Sequence, residues 1–368
     1  MKSHYNIVLL PGDGIGPEVT TSAKAVLQAA LDALSISVEF QEFDFGGVAI
    51  DRLGAPLPET TLEACRQADG ILMGAIGGPK WDHLKGEDRP EGGLLALRSA
   101  LGVFANLRPV SVPASLAHLS VLPAEEVAGT DIMVVRELTG GIYFGEPRVL
   151  EADYALDTMR YSVAEIERIT RVACTWASKR TGHVTSVDKA NVLAVSRLWR
   201  ETASRIARDE FPGVVMEHMY VDNAAMQLVL NPHQFDVLLT GNLFGDILSD
   251  LASTLAGSLG LLPSACLGGE TPLFEPVHGS APELAGRNEA NPVGAIMSAC
   301  MMLEEWGQVE AAQGVRVAVE QVLSTGKRTL DLVSKGDAAE STSSFTTAVV
   351  KQLQSLTVRA RSEAHVQP

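Results

Sequence analysis

Cysteine is scarce in this chain, and its four copies, Cys65, Cys174, Cys266 and Cys300, stand far apart with no CxxC pair among them. That excludes a disulfide framework and a cysteine zinc site, and it fits buried thiols of a reducing compartment. Basic residues are outnumbered, 29 Lys and Arg against 45 Asp and Glu, giving a formal charge of −16 spread along the chain. With no basic run present, nucleic acid and anionic membrane are excluded as principal partners. No apolar stretch reaches the roughly 18 residues needed to span a bilayer. The N-terminus passes straight into a strand-like run without signal-peptide architecture, and His365–Pro368 is not an address signal. Cytoplasm is the expected location. Internal repeats and low-complexity tracts are also absent.

What is present is a globular core. Hydrophobic residues make up 46% and charged residues 20% of 368, enough for two domains of ordinary size. A protein this acidic that binds an anionic substrate has to gather its arginines locally. Asn6–Leu10 reads as a buried strand, and after Pro11–Gly16 the residues Val19, Ala23, Val26, Leu27, Ala30 and Leu34 recur at helical spacing. Pro17 suits a first helical position. Ser37–Phe43 predicts a strand, Pro58–Ala68 a helix and Gly70–Ile76 a short buried strand, the alternation of an α/β protein. Gly140–Gly145 and the residues to about Thr158 predict an arm of strands and turns. Helices are expected at Ala164–Lys179, Asn191–Arg208 and Gly294–Gly307, and strands at His183–Val187, Val214–Met219 and Val237–Thr240. The Gly- and Pro-rich stretch Leu261–Pro292 predicts mostly loop, and a loop that long is usually functional.

The densest chemical signal is Thr240-Gly-Asn-Leu-Phe-Gly-Asp-Ile-Leu-Ser-Asp250. Asp246 and Asp250 lie four apart in a segment that reads as helix, so their side chains share a face, where like charges repel by about 0.2–0.5 kcal/mol. A cation between them would relieve that, and oxygen ligands suit Mg²⁺ or Mn²⁺ rather than zinc. The alternative is a solvated acidic face near a helix N-terminus. Pro11-Gly-Asp-Gly-Ile-Gly-Pro17 invites a dinucleotide reading, yet it is G-x-G-x-G-P and not G-x-G-x-x-G, so a tight turn without ligand stands beside it. Arg98, Arg108 and Arg136 sit at predicted element ends, where their planar forks would match carboxylates, or surface ion pairs. Tyr143 lies between glycine turns. Lys189 follows a strand and is either solvated or a base held in a closed site. Asp222 is either a further carboxylate ligand or the cap of the helix that follows. Phe274–Gly286 is a loop able to wrap an adenosine through backbone groups.

Taken in order, Gly12-Asp-Gly-Ile-Gly-Pro-Glu18, Phe104-Ala-Asn-Leu-Arg-Pro109, Arg136-Glu-Leu-Thr-Gly-Gly-Ile-Tyr143, Asp188-Lys-Ala-Asn191, Gly241–Asp250 and Glu275–Gly286 resemble the β-decarboxylating dehydrogenases. That family comprises isopropylmalate, isocitrate, homoisocitrate and tartrate dehydrogenases, and the resemblance covers nearly the whole chain. It implies an α/β fold of two lobes sharing a long mixed sheet, not a Rossmann fold. Residues 1–103 with 257–368 would form the first domain, with most of the NAD site. Residues 104–256 would form the second, with the dimerisation surface, an arm near 140–158, and the metal and substrate ligands. It implies NAD-dependent oxidative decarboxylation of a 3-substituted malate, the isopropyl acid of leucine biosynthesis first. Asp246 and Asp250, with Asp222 of a second subunit, would hold Mg²⁺ or Mn²⁺. Arg98, Arg108 and Arg136, with Asp222, would bind the malate moiety, and Leu94 and Leu95 its isopropyl group. Lys189 of the second subunit would be the base and Tyr143 the acid. NAD would lie against Ile15, Gly78, Glu91, Asn191, His278, Gly279, Ser280, Ala281, Glu283, Leu284 and Asn291. Glu283 stands where the shorter Asp is usual, and its charge would disfavour a 2′-phosphate. A homodimer with shared active sites follows.

Overall fold

The structure is a computed structural model describing residues 2–334 and 336–364, with side chains as far as residue 358; the C-terminal His365–Pro368 lies outside the described residues. Strand β1 (His4–Gly12) pairs in parallel with β2 (Ser37–Glu42) and with β3 (Gly70–Ala75). All of β3 is buried, as expected of a parallel strand covered on both faces. Helix Gly16–Ala33 opens with Pro17, whose missing N–H has no intrahelical partner there to lose. Its buried stripe of Val19, Ala23, Val26, Leu27 and Ala30 packs on β1, β3 and the almost wholly apolar helix Val293–Glu305.

Strand β4 (Ala105–Ser111) runs antiparallel to β5 (Asp131–Glu137). The arm is a short hairpin of β6 (Val149–Leu150) and β7 (Ala155–Leu156). Helix Val163–Ser178 follows, started by a capping box in which Ser162 and Glu165 satisfy each other's backbone N–H. Then come β8 (His183–Asp188), helix Ala194–Glu210, β9 (Val215–Tyr220), helix Val221–Leu230, β10 (Val237–Thr240) and helix Asn242–Ser253.

Residues 261–292 are mostly loop, as expected, but they also hold two short strands that the sequence did not predict, β11 (Pro263–Leu267) and β12 (Leu273–Pro276). Both are short, and prolines stand at their ends, where a strand tolerates them. Their burial is a tertiary effect that local composition does not report.

The strands follow the order β2-β1-β3-β12-β11-β4-β5-β10-β8-β9, a ten-stranded mixed sheet that bears out the α/β expectation and differs from the Rossmann order. The chain divides into two compact units, Met1–Leu101 with Ser258–Ala265 and Gly269–Pro368, and Gly102–Gly257 with Cys266–Gly268. Among the described residues no helix is long and apolar enough to cross a membrane.

Phe274 of β12 is fully buried. Replacing it with alanine should cost about 3–5 kcal/mol in denaturant unfolding, the usual price of truncating a core aromatic. A loss below about 0.5 kcal/mol would place it on a surface loop instead.

Candidate active site

In the second unit the antiparallel register sets Asn106 of β4 opposite Arg136 of β5. Side chains alternate along a strand, so Arg108 shares the face of Asn106 and Arg136. Arg108 is therefore inside a strand and not at its start. Its Nε donates to Asn106 Oδ1 at 2.7 Å, and its Nη1 to Ser249 Oγ at 2.8 Å and Asp250 Oδ1 at 3.2 Å. Arg136 Nη1 donates to Asp246 Oδ1 at 2.5 Å, and Tyr143 Oη donates to Asp246 Oδ2 at 2.8 Å. The side chains of Arg108 and Arg136 are only 12% and 4% exposed, whereas those of Asp250 and Asp246 keep 65% and 35% open to solvent. The acidic face of helix Asn242–Ser253 thus rests on two sunken guanidiniums, which offset the repulsion between its carboxylates. Burial, and then the bond to Asp246, push the Tyr143 phenol above its ordinary value, so it stays protonated and able to donate.

Lys189 and Asp222 form a separate pair, Nζ to Oδ2 at 2.9 Å. Asp222 is the second residue of its helix and not its cap; Tyr220 holds that position without a side-chain bond. The hydrogen bond from Lys189 holds the Asp222 carboxyl below the usual carboxylate range. Asn191 is exposed in the turn after Lys189. Among the described residues no three His, Cys, Asp or Glu side chains come together as a metal site. Asp246 and Asp250 are hard oxygen donors on one partly open face, which suits Mg²⁺ or Mn²⁺, but two carboxylates make only part of such a shell.

In the first unit, the glycine turn acts as an anchor. The buried Asp13 accepts from the main-chain N–H of Gly47 at 2.8 Å, Val48 at 2.7 Å and Gly77 at 2.8 Å. Burial pushes its carboxyl up, and those three bonds pull against it. Gly14 has φ +59°, and a Cβ there would meet Ser280 O at 1.9 Å, so only glycine fits. Ile15 N–H donates to Ser280 O at 2.8 Å, Ser280 Oγ to Gly77 O at 2.7 Å, and Gly286 N–H to Glu18 Oε1 at 2.6 Å.

Beside this turn lies a cavity of about 390 Å³, whose lining includes Ile15, His278, Gly279, Ala281, Leu284 and Asn291. Mostly apolar and backbone surface with a few polar groups suits a nucleoside. His278 Nε2 is buried there without a hydrogen-bond partner, a polar atom for a ligand to meet. Gly78 adjoins Ser280 and Pro282, while Glu283 is exposed and does not line the cavity. Glu91 pairs with Arg89 at 3.1 Å. Leu94, Leu95 and Arg98 share helix Pro90–Leu101, and Arg98 Nη2 donates to the buried Glu275 Oε1 at 2.5 Å.

Sequence reasoning named the arginines and acids but missed what holds them: Asn106, Asn242 and Glu275, and Asp13 as an anchor. All four lie inside the blocks that carried the resemblance. The available signal was a polar residue at the end of an apolar strand run.

The family profile described as isocitrate/isopropylmalate dehydrogenase matches residues 6–349. The chain is 58% identical over 341 residues to a 3-isopropylmalate dehydrogenase of Salinibacter ruber, covering 93% of each. It is 54% identical to one of Halalkalibacterium halodurans, covering 95% of this chain and 97% of the relative. Among solved structures, isocitrate dehydrogenase from Methylococcus capsulatus superposes with a TM-score of 0.84 at 34% identity, covering 95% of this chain and 99% of that one. A β-decarboxylating dehydrogenase from Thermococcus kodakarensis gives 0.79 at 35% identity, covering 96% and 97%.

Anchoring by Asp13 has a measurable consequence. Asp13→Ala leaves three N–H groups without their acceptor, at about 1–3 kcal/mol for each that water does not reach. Denaturant unfolding should show a loss of at least about 2 kcal/mol, with faster amide exchange at Gly47, Val48 and Gly77. Unchanged stability and exchange would contradict the anchor.

Proposed function

The chain belongs to the isocitrate/isopropylmalate dehydrogenase family, and from that membership we infer that it is an oxidoreductase that oxidatively decarboxylates 3-isopropylmalate in leucine biosynthesis. One observation carries the site assignment: Arg108, Arg136 and Tyr143 converge on the open carboxylates Asp246 and Asp250. Guanidiniums that match a dicarboxylate, hard oxygens that match a divalent cation and a protonated phenol are the parts this reaction requires.

Arg108 and Arg136 bind malate carboxylates, exchanging their present acidic partners for substrate, and Arg98 has the same role in the first unit. Leu94 and Leu95 meet the isopropyl group; an extra methylene in such an apolar pocket is worth only about 1–3 kcal/mol. Lys189 Nζ takes the proton of the substrate hydroxyl. Tyr143 Oη returns a proton to the carbon that loses CO₂, a role its place beside Asp246 supports. Asp246 and Asp250, with Asp222 of the second subunit, would hold Mg²⁺ or Mn²⁺, which would supply Lewis-acid polarisation of the substrate oxygens and stabilise the negative charge that develops on decarboxylation. Ile15, Gly78, Glu91, Asn191, His278–Ala281, Glu283, Leu284 and Asn291 would hold NAD, which would supply the hydride acceptor for C2. Glu283 favours NAD over NADP by charge, since a carboxylate repels a 2′-phosphate.

The working unit is a homodimer with shared sites: Asp222 pairs with Lys189 and does not join Asp246 and Asp250 within one chain. Its compartment is the cytoplasm, consistent with four buried free thiols.

Turnover of 3-isopropylmalate, isocitrate and homoisocitrate with NAD and Mg²⁺ tests the assignment. 3-Isopropylmalate should be preferred, chelation of the divalent ion should abolish turnover reversibly, and Asp246→Asn should lower kcat/KM about 100-fold or more. Preference for isocitrate, or full activity of Asp246→Asn, would sink it.

A further inference from the structure

Asn242, the first residue of the helix that carries both acids, is 2% exposed, and its polar groups are fully used. Its Oδ1 accepts from Arg136 Nε at 3.2 Å and Nη2 at 2.8 Å. Its Nδ2 donates to Leu138 O at 2.9 Å and Gly140 O at 3.3 Å. Its main-chain N–H donates to Tyr161 Oη at 2.7 Å. This network fixes the orientation of the amide. Reversed, its NH₂ would face a guanidinium that has no acceptor, and its oxygen would face two carbonyls.

The two ends of that amide reach two different functional groups. One end grips Arg136 by Nε and Nη2 and leaves Nη1 for Asp246. The other grips the 138–140 backbone, which leads to Tyr143. Glu137, fully buried, holds the same turn from below by accepting from Thr139 N–H at 2.9 Å and Gly140 N–H at 2.8 Å. Tyr161 packs so closely that a Cβ at Gly140 would meet its ring at 2.5 Å, and one at Gly141 its hydroxyl at 2.7 Å.

We propose that Asn242 is the positioning residue of this site: it fixes Arg136 by two of its nitrogens, so that Nη1 alone exchanges Asp246 for a substrate carboxylate, and it locks the Tyr143 turn to the same helix. This rests on the assignment of Arg136 and Tyr143 made above. A two-ended anchor predicts two separable losses. Asn242→Ala releases both ends. Asn242→Asp keeps an acceptor for Arg136, now a charged one, but loses the donor to Leu138 and Gly140, and so disturbs the Tyr143 turn while Arg136 stays held.

The test combines calorimetric dissociation constants for 3-isopropylmalate with Mg²⁺, the dissociation constant for NAD alone, and steady-state kinetics, each on variants whose circular dichroism matches the parent. In Asn242→Ala, substrate affinity should fall about tenfold or more and kcat should also fall, while NAD affinity stays within about twofold, because the expected NAD groups other than Asn191 belong to the first unit. In Asn242→Asp, substrate affinity should stay within about threefold while kcat falls about tenfold or more. The proposal is overturned if Asn242→Ala leaves substrate affinity unchanged or weakens substrate and NAD alike, which is what a merely structural role predicts. Should Asn242→Ala fail to fold, Asn242→Asp decides alone: a loss of affinity equal to its loss of kcat overturns the proposal. Failure of the parent protein to turn over 3-isopropylmalate would instead sink the functional assignment.

Discussion

A buried guanidinium must keep a counter-charge, and in this protein that requirement organises the second unit. Arg136 is 4% exposed on its side chain and always charged. Leaving such a group unpaired costs about 3–5 kcal/mol, far more than the few tenths by which two carboxylates one helical turn apart repel each other. The acidic face of helix Asn242–Ser253 is therefore drawn onto β4 and β5. Parallel pairing of β10 with β5 sets Thr240 beside Arg136, and the helix begins two residues later, so the sheet register delivers Asn242 and Asp246 to the guanidinium.

The result is a nearly neutral cluster inside a chain of formal charge −16. Two cations and two anions balance, and a phenol donates to one of the anions. Binding a divalent cation together with an anionic substrate preserves that balance, whereas either alone disturbs it. The arginines would trade Asp246 and Asp250 for substrate carboxylates as the cation takes those acids. Groups that pair with each other before substrate arrives are preorganised, which limits the rearrangement that binding requires.

Much of this was legible in the sequence, for identifiable reasons. Helical spacing at Val19–Leu34 and the all-apolar runs of β1 and β3 encode local periodicity, which one chain carries in full. The carboxylate pair was legible because spacing of four fixes a shared face. The strands in 261–292 were not, because their burial comes from neighbours remote in sequence. Arg108 was expected at the edge of a strand, and only its pairing with β5 shows it to lie inside one. Part of the cavity lining, Ile15, His278, Gly279, Ala281, Leu284 and Asn291, was legible through the resemblance, whereas Ser258–Gly260 and Leu330–Asp331 were not, and the exposed Glu283 lies outside the lining with a role that rests on charge alone. Asn242 passed unnoticed because its partners, Arg136, Leu138, Gly140 and Tyr161, are more than 80 residues away except through the fold.

The central claim is that Asp246 and Asp250 are one part of a cation site whose remainder, Asp222 beside Lys189, comes from a second copy of this chain. Mixing two inactive variants tests it most directly. Lys189→Met and Asp246→Asn, each alone, should have little activity. After dissociation and reassociation together, half of the dimers are mixed and each carries one intact site, so activity should recover to roughly a quarter of the parent value. No recovery on mixing, with reassociation verified, would mean that each site is built within one chain.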